Sequence, residues 1–311
     1  MPSRGHSEKN TALTQMAQRL HPFRDMIERF GLLLGKQAEL AASLQPVDLD
    51  AFVIDEDVFL QGTPLVSFVK PDGFIQSFQH ASKKVWPLMG VVFPALAPGL
   101  QALGNMTETD AQWTGLALQA MMRGDSTDLE RAAALAGVAP DFLVMALRAA
   151  FGPCVTAYKD VLTALAPMDL WRHPHCPVCG SEADMSNLEN HPDPSEFLVS
   201  KSGELWHHCP TCTHRWRFVR LTCPSCGNAD HETLSKFSSE ELPHEYFYAC
   251  EHCHHYLPGI DLVERSEPVD FDLAALGLIH LDAVAQSKGY VPLSPAPWVA
   301  MDFNEDSAPQ A

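Results

Sequence analysis

The sequence predicts an α-helical N-terminal domain followed by a small metal-binding β region, and three observations carry that prediction. Eight of the nine cysteines fall between Trp171 and Leu257 in four Cys-x-x-Cys pairs: Cys176/Cys179, Cys209/Cys212, Cys223/Cys226 and Cys250/Cys253. The same stretch repeats itself, with Cys176-Pro-Val-Cys-Gly180 recurring as Cys223-Pro-Ser-Cys-Gly227 and Leu205–His214 recurring as Phe247–His255. Before Pro167, apolar residues instead recur every three or four positions, which is the period of a helix with one buried face.

Two thiolates three residues apart on a tight turn can both reach one metal ion, and two such turns complete a tetrahedral four-sulfur shell. Four turns therefore make two sites. The segment Thr213–Thr222 lacks Gly, Pro, Asn and Asp, and reads as one uninterrupted strand. A strand of that length covers roughly 30 Å, so the turns at its two ends belong to different metals. With the repeat, this pairs Cys176, Cys179, Cys209 and Cys212 in one site, and Cys223, Cys226, Cys250 and Cys253 in the other, with an interleaved pairing as the alternative. Structural disulfides would need an oxidising compartment, and the N-terminus carries no export signal. A redox Cys-x-x-Cys normally occurs once, at a helix start. Zinc and a single iron both suit four thiolates, and spacing alone does not separate them. The many nearby histidines, among them His173, His175, His207, His208 and His252, are expected outside the ligand shell, which the cysteines already complete.

Taken in order, Met1–Asn10 reads as a polar tail, and a helix follows from Thr11. After Pro22, Phe23, Ile27, Phe30, Leu34 and Ala38 share one helical face. Val47–Pro71 reads as loop with short helical turns. A helix is expected over Gly73–Lys84, with a break or kink in the Pro-rich Trp86–Gly99 run. Thr107 is the expected cap of the next helix, with Asp110 at its third position, and Gly124 its stop. A short helix spans Thr127–Ala136, and Pro140 opens a long apolar one with a possible kink at Gly152-Pro153. Cys154 in that helix reads as a buried, small apolar residue. Val269–Ala285 predicts an amphipathic helix ended near Gly289, and an acidic tail closes the chain.

The expected domains are residues 1–167, helical; 168–220 and 221–265, the two metal modules; and 266–311, a C-terminal helix and tail. The formal net charge is −18, and Trp171–Ile260 holds six Lys or Arg against twelve Asp or Glu. That balance works against a phosphate-neutralising nucleic-acid reader and leaves a zinc-ribbon one as a weak alternative. No stretch is long and apolar enough for a membrane span, so a soluble, cytoplasmic protein is expected. The helical half carries no nucleophile motif, phosphate loop or distinctive carboxylate pair, and no enzymatic activity is expected of it.

From Cys176 to Tyr290 the ordered set of residues resembles the formate dehydrogenase accessory protein FdhE family. The set comprises Cys176-Pro-Val-Cys-Gly-Ser181, then Cys209, Cys212, Trp216, Arg220, Cys223 and Cys226-Gly227. It continues with Cys250, Cys253, Tyr256-Leu257, Asp272-Leu-Ala, Leu281-Asp282 and Gly289-Tyr290. The Asn187–Pro194 loop, long and polar, departs from the pattern but spares the cysteines. The resemblance implies a helical domain followed by tandem rubredoxin-like or zinc-ribbon modules, and two bound metal ions with iron ahead of zinc. It also implies a non-catalytic cytoplasmic role, binding the catalytic subunit of formate dehydrogenase before its export by the twin-arginine route. Carried onto this chain, the eight cysteines hold the metals, and Trp216 and Arg220 are candidates for partner contact. A rubredoxin-like one-electron carrier or redox sensor is the alternative.

Overall fold

The structure is a computed structural model that describes residues 4–44, 53–190, 203–263 and 269–294. A helical N-terminal region precedes a sheet region with two four-cysteine clusters, the arrangement expected of tandem zinc-ribbon-like modules. By internal contacts the chain forms two units. One comprises Leu32–Ser181 with Thr211–His214, and the other Met1–Gly31, Glu182–Pro210 and Arg215–Ala311. This division is drawn differently from the expected boundaries: the first helix counts with the sheet, and the strands of both modules count as one body.

Helices α1 (Arg4–Arg19), α2 (Arg24–Ser43), α3 (Glu56–Leu60), α4 (Asp72–Val92), α5 (Ala97–Thr109), α6 (Ala111–Arg123), α7 (Ser126–Ala136) and α8 (Pro140–Thr163) make up the N-terminal half. Within the helical unit α4 packs against α5 and α8. Phe74 meets Phe151 and Tyr158 edge-on at 5.1 and 5.2 Å, and the Trp86 indole N–H donates to Ala146 O. Ile27 and Phe30 of α2 are buried, as the spacing of that helix predicts.

Three local expectations change. The polar N-terminal tail is helical from Arg4. Helix α4 runs through Pro87 to Val92, because burial of Val85, Trp86, Met89 and Val92 outweighs a proline penalty of about 3 kcal/mol. Thr107 lies inside α5, its hydroxyl donating to Leu103 O, and Asp110 is the cap of α6, accepting from Trp113 N–H at 2.8 Å. Helix α8 continues without interruption through Gly152-Pro153. The stops at Gly124 and Gly137, both left-handed, fall where the sequence puts them.

The sheet unit holds β1 (Met185–Glu189), β2 (Glu204–His208), β3 (Arg215–Phe218), β4 (Leu234–Ser238), β5 (Glu245–Cys250), β6 (His255–Asp261) and the short β7 (Val291–Pro292). Its order is β3-β2-β1-β6-β5-β4, with β7 pairing on β6. Each module is an antiparallel three-strand ribbon, and the two join where β1 runs parallel to β6. Gly259 makes that joint possible: a Cβ there would stand 2.5 Å from Ser186 Oγ and 2.7 Å from the Tyr246 ring. Asn187, Leu188 and Glu189, expected in a polar loop, belong to β1, while residues 191–194 of that loop lie outside the described residues, as does the acidic tail. The strand expected over Thr213–Thr222 spans only Arg215–Phe218, since Thr213 and Leu221 both adopt a left-handed backbone.

Strand alternation sends Tyr246 to one face and Phe247 to the other. Tyr246 packs with Leu188, Leu205 and Phe218, and Phe247 with Met185, Tyr256, Leu278, Leu281 and Tyr290. The second face is covered by α9 (Phe271–Gly277) and α10 (Ile279–Ser287), two helices broken at Leu278 where the sequence predicts one. Tyr256 O–H donates to Asp282 at 2.8 Å. The same unit holds α1: Lys9 pairs with Asp272 at 2.7 Å, and Arg19 donates to Gly277 O at 2.9 Å and to Glu245 on β5. His280 Nε2 lies 3.2 Å from the other Glu245 oxygen. Burial works against ionisation of Glu245, but His280 and Arg19 outweigh it and hold the carboxyl below the usual range.

Glu245→Gln removes the charge that Arg19 and His280 face. The expected cost at pH 7 is about 2 kcal/mol, below that of a fully buried pair because the Arg19 side chain is 40% exposed. A carboxyl with a depressed folded pKa stabilises fully above its unfolded value of about 4.3, and the contribution fades as pH falls through the folded value. The urea-denaturation gap between wild type and variant should therefore close below about pH 4. A constant gap down to the acid limb would place the stabilisation elsewhere.

Candidate metal centres

Each Cys-x-x-Cys turn is closed by backbone geometry that its own sequence dictates. Gly180 and Gly227 follow the first turn of each module at φ 80° and 72°, and their N–H groups donate to Cys176 O and Cys223 O, both at 2.9 Å. Cys176 N–H donates to Ser181 O at 2.9 Å, and Cys223 N–H to Asn228 O at 2.8 Å, so the two turns superpose bond for bond. The second turns follow β2 and the end of β5. Each ends on a left-handed non-glycine residue, Thr213 at φ 55° and His254 at φ 57°, a conformation costing roughly 1 kcal/mol.

The turns bring the sulfurs together in two quartets: Cys176, Cys179, Cys209 and Cys212, and Cys223, Cys226, Cys250 and Cys253. Within each, all four sulfurs lie within 4.8 Å of one another. Cys176 and Cys212 Sγ are 3.5 Å apart, Cys223 and Cys253 3.6 Å, and Cys226 and Cys250 3.8 Å. A disulfide would need about 2.0 Å, and none of these cysteines is disulfide-bonded. A tetrahedral ion with sulfur bonds of about 2.3 Å puts its ligands about 3.8 Å apart, so both donor sets fit one ion each. Four soft sulfurs suit zinc or iron alike.

The surroundings favour thiolates unevenly. Burial opposes ionisation of Cys250, yet N–H groups of Cys253 and His252 and the Asn228 amide, 3.6 Å away, bring its thiol down to about 6. Burial pushes the Cys223 and Cys226 thiols up. Cys154, outside both quartets, is wholly buried and pushed up to about 12, which makes it an inert core residue.

Among the described residues, no histidine joins a group able to hold a metal. His173 and His175 each place Nε2 2.9 Å from a backbone oxygen, of Leu60 and Gly62. His208 pairs with Asp184 at 2.8 Å, and His207 stacks on Phe218. Trp216 is 3% exposed and edge-on to His207, so its indole offers little surface to a partner. Arg220 is half-buried and donates to Gly203 O at 3.1 Å.

Sequence reasoning missed Ser181 and Asn228. Ser181 Oγ is 3.4 Å from Cys179 Sγ and 2.8 Å from Thr211 Oγ1, while Asn228 reaches Cys250 and, at 2.6 Å, Thr233. The signal was present, since both occupy the position after the glycine in the two copies of the repeat.

No single described helix is long and apolar enough to cross a membrane; α7 and α8 qualify by length and composition only together, bent by 95°. No family model matches the chain. It is 26% identical over 214 residues to a protein FdhE homolog of Aquifex aeolicus, covering 69% of this chain and 68% of that one. It is 29% identical over 115 residues to a protein FdhE homolog of Shewanella oneidensis, covering 37% of this chain and 35% of that one. The crystal structure of the FdhE protein from Pseudomonas aeruginosa shares the fold, with a TM-score of 0.59 at 19% identity over 95% of both chains.

Two complete donor sets predict two ions per chain. Elemental analysis of Cys209→Ser and of Cys250→Ser should each return one ion, and of the double variant none. Two ions retained by either single variant would remove that cysteine from the ligand set.

Proposed function

We infer that this chain, whose curated relatives and fold support membership of the FdhE family, is an accessory protein for formate dehydrogenase and not an enzyme. The observation that carries this reading is the pair of complete four-sulfur donor sets on one continuous sheet. A metal held by four protein thiolates keeps no open position for a substrate, so the ions serve shape. Each holds the two turns of its ribbon together, and the β1–β6 joint sets one ribbon against the other. The strongly acidic chain then presents a preformed surface to a protein partner.

That partner is the catalytic subunit of formate dehydrogenase, bound in the cytoplasm before export. The eight cysteines hold two ions, with iron ahead of zinc. Arg220, half-buried at the chain crossing from one module to the next, is a better candidate for partner contact than the enclosed Trp216.

A second reading, a one-electron carrier or redox sensor, draws support from the exposure of Cys226, because solvent access and N–H to sulfur bonds set the potential of an iron–thiolate centre. It requires a protein that is red as purified, with thiolate-to-iron absorption that bleaches on reduction and returns on oxidation.

Under the accessory reading, the double variant Cys176→Ser/Cys179→Ser should lose co-purification with the dehydrogenase catalytic subunit while the helical half keeps its helical circular dichroism. Undiminished capture of the subunit would show the first module to be dispensable for binding.

A further inference from the structure

The two centres are near copies in sequence and turn geometry, yet Cys226 and Cys253 are each more exposed than their counterparts Cys179 and Cys212. In the first quartet Cys176, Cys209 and Cys212 are each 0% exposed and Cys179 is half-buried. In the second, Cys223 and Cys250 are buried, Cys253 is half-buried, and Cys226 is open to solvent.

The cover has identifiable parts. Around the first turn, Pro177 and Val178 are both buried, and their carbonyls accept from Leu65 N–H at 2.8 Å and Val66 N–H at 3.0 Å. Pro64 lies so close to Gly180 that a Cβ would meet its ring at 3.0 Å. Thr211, between Cys209 and Cys212, sets its carbonyl against Gly152 of α8, where a Cβ would meet it at 2.4 Å. Lys159 donates to Thr213 Oγ1 at 2.9 Å.

The matching positions of the second centre have no such cover. Ser225, Cys226 and Gly227 are all exposed, a Cβ on Gly227 would meet nothing within 4 Å, and His252, the counterpart of Thr211, is exposed. The repeat itself carries the difference: Cys-Pro-Val-Cys is built to be covered, and Cys-Pro-Ser-Cys to face water.

We propose that the two centres differ in kind: the first is a sealed structural site, and the second is an exchange site where a soft-donor ligand from solution, a thiolate or a chelator, reaches the ion past Cys226. Ligand exchange at a closed four-sulfur ion proceeds stepwise, one thiolate swinging away as the incoming donor takes its place. Cys226 has the free space to swing and an open path for the donor. At the first quartet three sulfurs are buried, and the packed Pro177-Val178 and Thr211 backbones restrict both at the half-buried Cys179. No electron transfer is needed; a thiolate–metal bond breaks and a donor–metal bond forms.

The inference rests on the reading that both quartets hold an ion, so the test starts from the stoichiometry of the purified full-length protein. A preparation with two ions is incubated anaerobically with excess EDTA, and metal retained after desalting is followed over time. Iodoacetamide, added in parallel, forms a sulfur–carbon bond at each freed thiolate with loss of iodide, and mass spectrometry locates it. Half the metal should leave at least about tenfold faster than the rest. Alkylation should appear first at Cys226 and then at its quartet partners, with Cys176, Cys209 and Cys212 unlabelled while half the metal remains. Fewer than two ions at the start removes the premise and the inference together. Two ions leaving in one phase, or first labelling at the Cys176 quartet, overturns the inference and leaves the two-metal reading standing.

Discussion

Four cysteine sulfurs within 4.8 Å of each other, once ionised, are an unstable arrangement without a cation among them. Like charges at that spacing repel, and burial raises the cost of holding even one of them ionised. The sheet region nevertheless brings two such quartets together, and it spends left-handed backbone at Thr213 and His254 to do so. An ion bound by each quartet would supply the compensating energy, on the order of 10 kcal/mol per site in structural zinc modules.

The joining of the ribbons is a separate matter of backbone pairing. Strand β1 meets β6 in parallel, and Gly259 lets the two chains approach at Ser186 and Tyr246. Because the first strand of one module pairs with the last of the other, the order β3-β2-β1-β6-β5-β4 is a head-to-tail repeat, not a two-fold one. Tyr246 and Phe247 then anchor opposite faces, and α9 and α10 close one of them. Helix α1 is tied to the same body through Arg19 and Glu245, so residues far apart in sequence share one part-buried ion pair.

Duplication gave the two centres one plan, and packing made them unequal. Val178 and Ser225 occupy equivalent positions, but the first is covered and the second is wet. The same turn can thus hold one ion beyond reach of solvent and another within it.

The sequence by itself determined the grouping of eight cysteines into two quartets able to hold a metal, the helical character of the first half, the glycine stops at Gly124 and Gly137 and the core role of Cys154. These rest on short-range spacing and on residue types with narrow chemistry, which survive any tertiary context. It misplaced the helix cap at Thr107, ran a strand too far past Phe218, broke α4 too early and joined α9 to α10. In each case a propensity was overruled by a local hydrogen bond or by burial that no window of sequence contains. Only the tertiary structure decided that α1 belongs with the sheet, that β1 pairs with β6, that Asn228 reaches a sulfur and that Cys226 is exposed while its counterpart Cys179 is half-buried. Those are long-range contacts between segments tens to hundreds of residues apart, and spacing along a chain carries no measure of which distant surfaces come to cover it.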